Sequence, residues 1–162
     1  MIDHQDFMHG AALAAIARHR NFVALNKASP KYGHFKVNDN CHIFIKYDDE
    51  GRSGRDGTVT YNFGFSHSEI REMQKTKSSA NQVYTVLVCG QEAITALSLS
   101  QLSEIIDMKA AQQSVRVVSQ PPKWLRIYGS ARRLGPPVPR TGRAAFPNQI
   151  LSRSNHRAMR AS

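Results

Sequence analysis

Serine hydrolase chemistry requires a hydroxyl activated by a histidine, and Ser66-His67-Ser68 sets both residue types side by side. Neighbours at the start of a helix point in different directions. The spacing Ser66-x-x-Glu69 is instead that of a capping box, in which hydroxyl and carboxylate serve each other's free backbone amides. That cap accounts for both residues without catalysis. The seven histidines and two cysteines fall in no zinc spacing. Cys41 and His42 alternate across a strand and cannot ligate one ion from it. The acids Asp48, Asp49, Glu50 and Asp56 offer clustered oxygens to a hard cation, but they lack the alternating spacing of a calcium loop and stand beside Arg52 and Arg55. They read as a solvated hairpin tip.

A metal-dependent nuclease needs acids projecting from core strands beside a lysine. Lys46 and Asp48 come nearest to that pattern, but Thr58 to Phe65 holds no acid and none follows Asp107. The expectation is therefore a protein without a catalytic constellation, metal or cofactor, with a nuclease ranked third behind two binding functions.

The charge distribution carries the remaining chemistry. Residues 1–107 hold 11 Lys and Arg against 12 Asp and Glu, a net of −1, while residues 108–162 hold 11 Lys and Arg and no acid, a net of +11. An excess confined to one third of the chain is the footprint of a segment that meets a polyanion. Trp124 and Tyr128 stand among Lys123 and Arg126, so arginines can contact phosphates while an exposed ring stacks on an unpaired base. The expected nucleic-acid contacts are Lys123, Trp124, Arg126, Arg132, Arg133, Arg140, Arg143, Arg153 and Arg157, with RNA or single-stranded DNA as partner. The alternative is a protein-binding module or inhibitor that docks on an acidic protein surface, with Phe146 and Ile150 as its apolar contacts. Pro136-Pro137-Val138-Pro139-Arg140 resembles a polyproline ligand, but such short motifs arise often by chance and a stiff linker is the expected reading.

The elements that position these residues follow from periodicity. Val83 to Cys89 is the longest nearly unbroken apolar run, closed by Gly90, and predicts a central strand covered on both faces. Gln5 to His19 has helical spacing of Phe7, Met8, Ala11, Ala12, Ala15 and Ile16. In Phe35–Tyr47, Ile43, Ile45 and Tyr47 alternate with His42, Phe44 and Lys46. The charged, glycine-rich loop that follows leads to a return strand, Thr58–Phe65, with Val59, Tyr61, Phe63 and Phe65 inward. Helices are expected from Ser66 to about Lys77 and after the second capping box, Ser98 to Gln101. Glu92–Leu97 pairs with the central strand, and Val115–Val118 with Trp124–Tyr128.

The sum is an α+β fold: a single domain over residues 1–128, with one mixed, mostly antiparallel sheet of about five to seven strands and two or three covering helices. A basic Arg/Pro-rich extension, irregular and partly disordered, occupies 129–162. Cys41 and Cys89 read as reduced packing residues. No run reaches the length of a membrane span, and the acidic N-terminus carries no targeting signal, so a cytoplasmic location is expected.

Overall fold

The computed structural model describes residues 2–29, 31–80, 82–120 and 124–151, which form an α+β fold. Strand β6 (Gln82–Cys89) is largely apolar on both faces, the composition of a strand inside a sheet, while β3 (Cys41–Asp48) buries Cys41, Ile43 and Ile45 on one face and Phe44 on the other. They pair in parallel from Cys41 opposite Gln82 to Asp48 opposite Cys89. A parallel pair requires a crossover, and helix α2 (His67–Ser79) supplies it. β2 (His34–Val37) lies antiparallel on β3 and β1 (Leu25–Ser29) on β2, while β7 (Ala93–Ser98) flanks β6. The resulting order is β1-β2-β3-β6-β7, so Val83–Cys89 is interior, as its composition predicts.

The pattern predicts one sheet, but the chain forms two. β4 (Arg52–Ser53), β5 (Val59–Ser66), β8 (Gln112–Ser119) and β9 (Leu125–Gly129) make a second, antiparallel sheet in the order β4-β5-β8-β9. The expected return strand thus pairs with β8 and not with β3. The reason lies in side-chain polarity. β5 carries Thr60, Asn62 and Gly64 on one face and needs a solvated position, whereas β3 buries Ile43 and Ile45 on one face and Phe44 on the other. The stretch Phe35–Tyr47 is likewise divided, by a turn at Asn38, which adopts φ 54°.

Helix α1 (His4–Ala17) covers one face of the first sheet, burying Met8, Ala12 and Ile16 against Ile43, Ile45, Val86 and Val88. On the opposite face Phe44, Leu87 and Cys89 meet Phe63, Phe65, Val115, Val117, Leu125 and Ile127 of the second sheet. Ile70 and Met73 of α2, with Leu102 and Ile105 of α3 (Leu99–Ile105), complete that core. The Ser98–Gln101 capping box is fully formed. At α2 only half of the box forms: Ser66 Oγ accepts from the Glu69 amide at 3.2 Å, while the Glu69 carboxylate turns to Lys46. Cys41 and Cys89 are buried free thiols in different cores, and burial pushes Cys41 up to about 12.

Residues 129–151 fold back as a strap. The backbone of Ile105 lies directly against Gly129, leaving no space for a side chain there, and its carbonyl accepts from Ala131 N and Arg132 N. Leu134 N donates to Ile127 O, and Leu125 and Val138 exchange two 2.8 Å backbone bonds, so the strap extends the edge of β9. Leu134, Val138, Ala145, Ile150 and Leu151 are buried, the last two in a short helix α4 (Asn148–Leu151) packed into the α1 core. No helix among the described residues is long and apolar enough to cross a membrane.

Candidate nucleic-acid interface

The four strands of the second sheet contain no acidic residue. Their inner face is apolar, so alternation sends Arg116 of β8 and Arg126 of β9 to the exposed face, between the buried pairs Val115/Val117 and Leu125/Ile127. Antiparallel register aligns the outward side chains in rows. One row runs Asn62, Arg116, Tyr128 and Arg133; the next runs Arg52, Thr60, Val118 and Arg126. The Arg116 guanidinium lies 5.0 Å from the Tyr128 ring centroid, a cation–π contact that holds both groups in place. Trp124 continues the alternation of β9 and is 52% exposed. Arg52, Arg116, Arg126 and Arg133 form no ion pair with any described residue.

Of the residues expected from sequence, Trp124, Arg126 and Arg133 therefore share this face. Arg132 and Arg143 are exposed on the strap. Lys123, Arg153 and Arg157 lie outside the described residues. Arg140 is turned inward: its guanidinium donates to Glu92 Oε1 at 2.9 Å and contacts Ser119 Oγ. Tyr61 Oη donates to Glu92 Oε2 at 2.9 Å, and Ser119 donates to the same carboxylate. Burial works against ionised Glu92, but hydrogen bonds from Ser119, Tyr61 and Arg140 outweigh it and hold the carboxyl below its usual range. Burial, with Glu92 adding to it, pushes Tyr61 up to about 12. Sequence reading missed Arg116 and Arg52. The Val-Arg-Val alternation around position 116 was the available signal, masked by the larger charge excess of the acid-free tail that surrounds it.

A second polar cluster sits between β3, β5 and α2. Lys46 pairs with Glu69, and Asp48 accepts from the Asn62 amide at 2.8 Å and the Glu50 amide at 3.1 Å. The acidic tip Asp49–Asp56 is exposed, with His4 in contact with Asp49. Among the described residues, no three His, Cys, Asp or Glu side chains converge as a metal site. His67 starts α2, where Ser66 is the cap, so the Ser-His-Ser tripeptide is accounted for by the helix. Comparison with known proteins finds no matching family model, no matching curated protein and no matching solved structure.

Proposed function

We propose that the protein binds single-stranded nucleic acid, RNA or DNA, across the outer face of the second sheet. The observation that supports this reading is a sheet face carrying Arg52, Arg116 and Arg126 on three strands, with Tyr128 against Arg116, Trp124 exposed just before β9, and no acid on any of the four strands. Arginines supply phosphate contacts, and aromatic rings supply base stacking that tolerates any sequence. Unpaired bases are required, because a stacking platform cannot reach the faces of bases inside a duplex.

The test is fluorescence anisotropy with labelled single strands over a salt series. Affinity should fall steeply between about 50 and 200 mM salt, and R116A/R126A should reduce the salt slope by about one to one and a half, near 0.7 for each phosphate no longer neutralised. W124A should weaken binding by roughly 1 to 3 kcal/mol with the thermal melt unchanged. Absence of any anisotropy change at low salt, in a preparation free of nucleic-acid absorbance, rejects this reading in favour of an acidic protein partner. Such a partner would show only modest salt dependence. Phe146 and Ile150 no longer serve as probes for it, since both pack into the protein's own core.

A further inference from the structure

Helix α2 presents Ser68, Arg71, Glu72 and Lys75 at spacings of three and four, a single stripe along one side of the helix. Opposite it stands the turn between β1 and β2, with Lys31 and Tyr32. Between the two lies an open groove of about 560 Å³, within the range of small-ligand sites. Three cations line it against one carboxylate, and Lys31, Arg71 and Lys75 form no ion pair with any described residue.

Tyr32 and Gly33 are consecutive left-handed residues, with φ 63° and 56°, a rare conformation for tyrosine. Gly33 cannot be replaced without moving the main chain, because a Cβ there would lie 2.8 Å from the Ile45 carbonyl oxygen. This backbone brings the Tyr32 hydroxyl to Ser68 Oγ at 2.9 Å, tying the turn to the helix across the groove. Like charges gathered along one groove repel, and a bound anion relieves that repulsion.

We infer that this groove binds a phosphate monoester, either a free nucleotide or the terminal phosphate of a nucleic-acid strand. A monoester carries about −1.5 to −2 charge and three acceptor oxygens near pH 7, which suits three cations and the hydroxyls of Ser29, Tyr32 and Ser68. An internal phosphodiester offers only one negative charge. The site is separate from the sheet face, so either can fail alone.

The experiment titrates the full chain with adenosine 5′-monophosphate and with adenosine, followed by amide shifts in NMR, and compares 5′-phosphorylated with 5′-hydroxyl oligonucleotides by anisotropy. Saturable shifts at Lys31, Arg71 and Lys75 are expected with the monophosphate and not with adenosine. R71A/K75A, checked for an unchanged melt, should weaken that binding by at least about tenfold, since two charge-assisted hydrogen-bond donors are removed. A preference for the 5′-phosphorylated strand, abolished in R71A/K75A, identifies the strand end as the source. Binding of the monophosphate with no such preference identifies the free nucleotide. Absence of both effects, or effects that persist in R71A/K75A, overturns the inference.

Discussion

The ammonium of Lys46 lies 2.9 and 2.7 Å from the two carboxylate oxygens of Glu69, joining the interior strand β3 to the crossover helix α2. The same ammonium sits 4.8 Å from the Phe65 ring centroid, so it also touches the second sheet. Both side chains are largely buried, at 18% and 12% exposure. Removing one partner strands the other in a poorly hydrated place, whereas removing both does not. E69A should therefore cost about 3 kcal/mol in urea unfolding at neutral pH, and K46M/E69L should stay within about 1 kcal/mol of wild type. Equal losses for the single and the double variant would show that packing, not charge, sets the cost.

Besides its backbone bonds and buried side chains, the strap is held by one inward arginine. Arg140 is held by Glu92, and Glu92 by Tyr61 and Ser119, so the network links the strap to β5, β8 and the turn between β6 and β7. R140A should destabilise by about 2 to 3 kcal/mol, because a partly buried carboxylate is left without its cation. Y61F should cost only about 1 kcal/mol, since Arg140 and Ser119 still serve Glu92. Chemical denaturation of the two variants gives both values directly.

Ending the chain after Gly129 should unfold it. That deletion removes Leu134, Val138, Ala145, Ile150 and Leu151, all buried, and at roughly 1.5 to 3 kcal/mol for each large aliphatic side chain the loss approaches a typical total stability. Far-ultraviolet circular dichroism and a thermal melt of the truncated chain decide the matter. A cooperative melt near the full-length value would mean that the strap is dispensable.

Much of this architecture was legible in the chain. Alternation in Thr58–Phe65 gave the inward Tyr61, Phe63 and Phe65, and the Ser98–Gln101 spacing gave a complete capping box. The division into two sheets was not legible, because strand pairing between β5 and β8 joins Val59 to Ser119 across a distance that local pattern does not encode. The role of Arg140 was hidden for the same reason: a composition of Arg, Gly and Pro looks solvated until Glu92 is placed beside it. At the candidate interface, the aromatic-among-basic pattern pointed to Trp124 and Arg126, which share one exposed sheet face. The register with Arg116 and Arg52 came only from the sheet.

His34 should give the fold a pH dependence of its own. It is 5% exposed, stacked on Phe44 with ring centroids 4.1 Å apart, and its Nε2 shares a 2.8 Å hydrogen bond with Nδ1 of His42, while its Nδ1 has no partner among the described residues. Burial, reinforced by His42, lowers its pKa to about 4 from the usual 6.5, although Glu72 pulls the other way. Between those values the unfolded chain takes up a proton that the folded chain refuses. Stability from this residue is therefore fully present above about pH 6.5, falls as the pH drops, and is gone below about pH 4, a change on the order of 3 kcal/mol. H34F keeps the stack on Phe44 and removes the titrating group, so its unfolding free energy should fall less steeply than that of wild type between pH 6.5 and 4. Parallel stability–pH curves for the two proteins would rule out His34 as the source.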